Sequence, residues 1–225
     1  MGPAIGGSLV MAIGIAITPL AITVTLIVLT TPQARVNGPA FIVGWFLALA
    51  VVGGLALIVM GSTSASHSGM PADWVSWLKI ALGIVLLLLA IYEVGRRPGT
   101  DRLTARPSWT QRLDEVGPPG ALALGALLAG ARPKNILLVI AGAAVIAGTG
   151  ISFKQQSIAY VVFAAIATIG VAIPVVTYFV MGDKAPGTLR ALQEWIGRNS
   201  APIVSVLCLV IGANLIGAGI SALTA

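Results

Sequence analysis

Six long apolar segments restrict the fold of this chain more than any other feature of its sequence. Each has about 20 residues or more, the length that a helix needs to cross the ~30 Å hydrocarbon core of a bilayer. Apolar and polar residues do not alternate within them, which favours helices over the strands of a membrane barrel. The sequence therefore predicts an all-α membrane protein with six transmembrane helices. The segments are Ala4–Leu29, Ala40–Gly61, Val75–Val94, Pro119–Gly148, Ser157–Met181 and Ala201–Leu223.

Composition excludes several classes of function. Charged residues make up 9% of the chain and hydrophobic residues 57%, whereas roughly a quarter of an ordinary soluble domain is charged. A water-soluble globular domain, a disordered chain and a nucleic-acid-binding module are therefore excluded. With one cysteine, Cys208, and one histidine, His67, we expect no metal site and no cofactor. No catalytic set of residues is evident, so we expect no enzyme.

Basic residues between the apolar segments predict the orientation in the membrane. The links after the first, third and fifth segments hold most of them, and cytoplasmic loops are rich in Lys and Arg. This asymmetry predicts a plasma-membrane protein with both termini outside. It also divides the chain into a three-helix half (1–95), a basic cytoplasmic linker with a short amphipathic helix (96–117) and a second three-helix half (118–225). The basic residues of these links are Arg35, Arg96, Arg97, Arg102, Arg106, Arg112, Lys184, Arg190 and Arg198.

The two halves share features at matching positions. A proline interrupts the first helix at Thr18-Pro19 and the fourth at Arg132-Pro133, each about fifteen residues into its span. The tripeptide Val-Met-Gly closes the second helix of each half, at 59–61 and 180–182. Because each half has three spans, the second half is inverted relative to the first. Inverted repeats with broken helices are typical of transporters, whose substrate sites lie at the breaks.

The break in the fourth helix carries an unusual set of polar residues for the middle of a membrane. Arg132, Pro133, Lys134 and Asn135 follow one another there, and cations facing lipid cost at least several kcal/mol. One interpretation is an anion- or headgroup-binding site, with Asn135 as a hydrogen-bond partner and Thr18 and Pro19 forming the opposite wall. The alternative is a structural ion pair, for example with Glu93, or side chains that extend to the membrane surface.

Three further polar residues are weaker candidates for the site. Glu93, beside Tyr92 near the end of the third helix, is a candidate proton-coupling group, or a surface residue paired with a neighbouring arginine. Asn214 lies in the middle of the sixth helix, where it lines the cavity or makes a polar contact between helices.

These motifs give the chain a resemblance to the LysE-type exporter superfamily. The first-helix break and the link Ala34–Gly38 are part of it. Residues 132–135 resemble the superfamily's Asn-Pro-Lys element, with Arg132 in place of the asparagine. Within the superfamily the chain is similar to the actinobacterial GAP or Sap family, the glycopeptidolipid- and sulfolipid-addressing proteins. The resemblance implies a role in moving a glycolipid of the cell envelope across a bacterial plasma membrane.

From these observations we expect a transporter that moves an envelope lipid, a glycolipid or its polar headgroup by alternating access. Two alternatives are an exporter of a small amino acid or cation, and a non-transporting adaptor that docks lipid-synthesis enzymes through the basic linker. The expected partners are the membrane and the lipid substrate. A homo-oligomer remains open because small-residue stretches such as Gly212–Gly217 allow close helix packing.

Overall fold

A computed structural model of the protein describes residues 1–63, 73–95, 117–182 and 185–224. This part of the chain is built from helices and contains no strand, which confirms the all-α class. Both proline interruptions break the helix that contains them. The helices are α1 (Gly2–Ala16), α2 (Pro19–Val28), α3 (Ala34–Thr63), α4 (Asp73–Gly95), α5 (Pro118–Gly130), α6 (Pro133–Ala147), α7 (Phe153–Met181) and α8 (Ala185–Thr224).

Three of these helices are long and apolar enough to cross a membrane, namely α3, α7 and α8. The pairs α1–α2 and α5–α6 are bent by 53° and 67°, and if each pair is one broken span the number rises to five. The third segment of the sequence forms α4, whose apolar stretch Ser76–Tyr92 is shorter than these spans. The structure thus supports a multi-pass helical protein with three to five spans by length and composition, against the six expected.

Each break follows from the proline that begins its second half-helix. Proline has no N–H to donate and suits the first position of a helix, and the residue before it is driven out of the helical region. Thr18 (φ −105°, ψ 99°) and Arg132 (φ −85°, ψ 126°) are accordingly extended. The chain therefore stops one helix and starts another within two residues.

The two halves of the chain, residues 1–95 and 118–225, pack on each other reciprocally: the broken helix of each half lies against an unbroken helix of the other. The broken helix α1–α2 packs on α7, the broken helix α5–α6 packs on α3, and α4 packs along α8. In the α3–α5 pair the backbones touch: a Cβ at Gly44 would strike the Leu122 carbonyl, and one at Gly125 the Phe41 carbonyl. Small residues allow such close approach between membrane helices. A two-fold relation between three-helix halves would produce this pairing, so it supports the inverted repeat, which stays a prediction.

Short helices were predicted in two of the linkers, and the structure describes the residues of one of them. The segment Thr188–Gly197, expected as a separate amphipathic piece, is continuous with the last span in α8. Its apolar residue Leu189 is buried in a small cluster with Leu29 and Val175, at the ends of α2 and α7. The amphipathic helix expected between 96 and 117 lies, apart from Gly117, outside the described residues.

Candidate substrate site at the paired helix breaks

The first break leaves two backbone carbonyls without their helical partners, and side chains bond both. Pro19 has no N–H to offer the carbonyl of Ile15, and Thr18 Oγ1 donates to that oxygen over 2.6 Å instead. The carbonyl of Gly14, five residues before the proline, accepts a 3.0 Å hydrogen bond from Lys134 Nζ. An ammonium at the C-terminal end of a half-helix is favourable because that end of the helix dipole is negative.

At the second break the corresponding carbonyl is also bonded by a side chain, but this side chain belongs to the same broken helix. The carbonyl of Leu128, again five residues before the proline, accepts a 3.1 Å hydrogen bond from Asn135 Nδ2. Asn135 is fully buried, so this bond replaces the water that an exposed carbonyl would have. One residue thus holds the two half-helices α5 and α6 together across the bend.

Two contacts join the breaks to each other. Besides the bond from Lys134 to Gly14, Thr18 Oγ1 lies 3.4 Å from Asn135 Oδ1. Thr18 is also buried, and its single hydroxyl proton is directed mainly to the closer carbonyl of Ile15. We call residues 14–19 and 131–135 together the paired-break site. The sequence-predicted residues Thr18, Lys134 and Asn135 are therefore neighbours in space, although more than a hundred positions separate the two breaks.

The paired-break site combines basic side chains with helices that contain no acidic residue. Arg132 and Lys134 are both half-buried, whereas Thr18 and Asn135 are enclosed. The helices α1, α2, α3, α5, α6 and α7 contain no Asp or Glu. The helices that carry the breaks, and the two helices that pack on them reciprocally, therefore supply no carboxylate, while the second break itself supplies the two cations Arg132 and Lys134.

Helix dipoles add to this positive character. The N-termini of α2 and α6 both begin at the breaks, with Pro19 and Pro133 at the first helical position. A helix N-terminus carries a partial positive charge and backbone N–H groups that suit an anion. Pro19 is buried and Pro133 exposed, so the second N-terminus is the more accessible one.

The weaker candidates do not join the paired-break site through any described contact. Tyr92 is 62% exposed on α4, and the side chain of its neighbour Glu93 lies outside the described residues. Asn214, expected in the cavity or at a helix contact, is instead exposed on α8. The buried stripe of that helix runs through Cys208, Ile211 and Leu215, and Asn214 lies beside it.

Sequence reasoning missed a glycine that positions the first break. A Cβ on Gly170 of α7 would collide with the backbone carbonyl of Ala16, the last residue of α1. Because the colliding atom is backbone, only glycine allows α7 to lie this close to the break. The sequence contained a signal, because an isolated glycine in a helix is costly and marks a close approach of another segment. The sequence does not show which segment approaches Gly170.

The fold and the site together define a class: a multi-pass helical membrane protein in which two broken helices meet at a basic, polar junction. A family model described as Sap, sulfolipid-1-addressing protein, matches residues 9–221 of the chain. The chain belongs to this Sap family, as its resemblance indicated. No curated protein and no solved structure gives a significant match to the chain.

Proposed function

We propose that this protein is a transporter that moves an envelope lipid or glycolipid with an anionic or strongly polar headgroup across the plasma membrane. The paired-break site is the headgroup site, with Arg132 and Lys134 as the cations. The observation that carries the proposal is the meeting of the two helix breaks at Lys134, which is separated from Arg132 by Pro133 alone. The helices that carry the breaks contain no Asp or Glu.

The chemistry of the site favours a negatively charged headgroup over a cation. Two half-helix N-termini and two basic side chains attract an anion, and in transporters such half-helices point at anionic groups. The family description, Sap, sulfolipid-1-addressing protein, names a lipid that its prefix describes as sulfur-containing. A sulfated headgroup is the kind of anion that Arg and Lys bind well.

Alternating access fits the way in which the halves are joined. Each broken helix packs mainly on a helix of the other half, and the breaks touch through hydrogen bonds of 3.0 and 3.4 Å. Rocking of one half against the other would therefore open the junction to one side of the membrane and then to the other. Each break comes about fifteen residues into its apolar segment, which at about 1.5 Å per residue corresponds to a depth near the middle of the bilayer.

Reconstitution in liposomes tests the proposal. The substrate is a fluorescent sulfated glycolipid, and transport is the fraction that becomes protected from an impermeant quencher. We expect the double variant Arg132→Ala/Lys134→Ala to lose transport. A matched control, Lys154→Ala/Arg190→Ala, removes the same charge from exposed positions on α7 and α8 and should keep it.

Unchanged transport in the Arg132→Ala/Lys134→Ala variant would show that the paired-break site is not the substrate site. The adaptor alternative makes the opposite forecast, because deletion of residues 102–116 would then abolish the cellular function while the break variants keep it. A place in the LysE-type exporter superfamily remains an expectation from the motifs.

A further inference from the structure

A second, apolar concavity lies on the flank of the helix bundle between α3 and α7. It has a volume of about 210 Å³ and is open on one side. Its floor is formed by Leu57, Tyr160 and Ala164, all buried, and its rim by Ile58 and Phe153, which are more than half exposed. Both walls belong to helices that are long and apolar enough to cross a membrane. If these two helices cross the membrane, the mouth of the concavity faces its hydrocarbon.

The lining offers no hydrogen-bond donor to an occupant. Of the two hydroxyl groups in it, that of Tyr160 donates to the carbonyl of Leu49 over 2.7 Å, and that of Ser157 to the carbonyl of Phe153 over 3.0 Å. Among the residues that the structure describes, no charged one lines the groove. A polar ligand would lose its hydration here without replacement, whereas a hydrocarbon chain would lose nothing.

Two adjacent glycines of α3 shape this groove. A Cβ on Gly53 would overlap the ring and hydroxyl of Tyr160, so the absence of a side chain there admits the tyrosine that forms the floor. A Cβ on Gly54 would meet no atom within 4 Å. The space at Gly54 is thus open, and packing within the chain does not account for the missing side chain.

The groove lies at the same level of α3 as the second helix break. A Cβ on Gly130, the last residue of α5, would lie 3.5 Å from the Ala48 Cβ and 3.8 Å from a Val52 methyl group. Ala50, between these two positions, lines the groove. From there the groove continues to Ile58, roughly 12 Å further along the helix.

We infer that this groove, named here the flank groove and lined by residues 46–58 and 153–164, holds a hydrocarbon chain of the transported lipid while its headgroup occupies the paired-break site. The inference rests on the proposed function and extends it to the apolar part of the substrate. The substrate is therefore an acylated lipid and not a free headgroup, a small amino acid or a cation. The groove keeps the chain against the protein at the depth where the headgroup crosses.

Photo-crosslinking tests the inference with the full-length protein in liposomes. The probe is a sulfoquinovosyl diacylglycerol that carries a diazirine in one acyl chain, and a phosphatidylcholine with the same labelled chain is compared at equal mole fraction. Adducts are located by mass spectrometry of peptides. We expect the sulfonated probe to label residues 46–58 and 153–164 more than the phosphatidylcholine does.

A groove-filling variant and its matched control make the result specific. Gly54→Leu should remove most of the groove labelling and slow transport of the sulfonated lipid. Gly217→Leu makes the same change at an exposed glycine of α8 whose Cβ would also meet nothing within 4 Å, and should leave both unchanged. Correct folding of both variants is checked by gel filtration and thermal unfolding.

Four results would overturn the inference. Equal labelling by the two lipids would mean that the groove takes ordinary membrane lipid. Labelling that Gly54→Leu does not reduce would place the chain elsewhere, and absence of label from residues 46–58 and 153–164 would mean that another helix covers the groove. Transport by wild type that is lost in Arg132→Ala/Lys134→Ala but kept in Gly54→Leu would refute the groove and leave the proposed function standing.

Discussion

At both helix breaks a backbone carbonyl lacks its helical N–H partner, and a different residue supplies the hydrogen-bond donor at each break. In each, the residue before the proline is extended, so the carbonyl five positions before the proline lacks the helical N–H partner that this residue would have supplied. At the second break the nearby Asn135 supplies the missing donor, whereas at the first the donor is Lys134, from the other half of the chain. The first break contains no charged residue, and the second contains two cations.

Under the proposed function, this difference separates residues that stabilise the bends from residues that bind the substrate. Asn135 and Thr18 are buried and bonded to backbone, so their main effect is to stabilise the bends. Arg132 and Lys134 are half-buried and basic, so they have surface that a headgroup can reach. Lys134 belongs to both groups, because it also bonds the carbonyl of Gly14. Variants of these residues should therefore fall into a stability class and a transport class.

The largest loss of stability is expected from Asn135→Leu. The variant removes the buried donor to the carbonyl of Leu128, and an unpaired buried polar group together with a misfitting side chain costs about 2–4 kcal/mol. Equilibrium unfolding in mixed detergent micelles measures the change. The control Asn214→Leu makes the same substitution at an exposed site and should change stability little. Equal effects would show that the second break does not depend on Asn135.

The second-largest loss of stability is expected from Gly170→Ala, which adds a methyl group on α7 where that helix packs against the first break. The added methyl group would overlap the backbone carbonyl of Ala16, and overpacking of this kind costs about 1–3 kcal/mol. Gly54→Ala adds the same group where no atom lies within 4 Å, so its unfolding free energy should equal or slightly exceed that of the wild type, because alanine favours a helix more than glycine does. A variant Gly170→Ala as stable as Gly54→Ala would mean that α7 does not hold the first break.

Lys134→Met should be intermediate in stability and severe in transport. It removes the bond to the carbonyl of Gly14, worth about 1–2 kcal/mol for a half-buried charged donor, and also a cation of the site. The matched control is Lys154→Met, at an exposed lysine of α7. Transport in liposomes and unfolding are measured on the same preparation. Loss of stability with full transport would assign Lys134 to the structural class alone.

Thr18→Val has the smallest expected effect, about 1 kcal/mol, because it removes one neutral hydrogen bond to the carbonyl of Ile15. Thr30 makes the same type of bond, 2.7 Å to the carbonyl of Ile27, at an exposed position. Thr30→Val should therefore cost less than Thr18→Val, as micelle unfolding can measure. If Thr30→Val lowered the unfolding free energy more than Thr18→Val, burial of the hydrogen bond at the first break would add nothing to stability.

Much of the fold was predictable because it depends on local rules. Apolar length predicted the helical membrane class, and the fixed φ of proline with its missing N–H predicted breaks before Pro19 and Pro133, which the structure confirms. The start of α8 at Ala185 was not predicted, because Thr188–Gly197 was expected to be an interfacial piece separate from the last span. Helix packing keeps that helix continuous, with Leu189 buried against α2 and α7.

The composition of the site was predictable, but its hydrogen-bond pattern was not. Polar residues in the middle of an apolar segment mark a junction whatever their partners are. Which carbonyl Lys134 reaches depends on bends of 53° and 67° and on how closely the two broken helices pack. The flank groove was missed for a related reason. Gly53 and Tyr160 are distant in sequence, and their contact arises only when α3 and α7 pack.

The central claim is that the cations of the paired-break site act on the charge of the headgroup, and a preference measurement tests it most directly. Transport of a sulfated glycolipid and of its uncharged parent is measured in liposomes for the wild type and for Arg132→Gln/Lys134→Gln. We predict that the wild type prefers the sulfated lipid and that the variant loses this preference while still moving the uncharged one. An unchanged preference in the variant would contradict the claim.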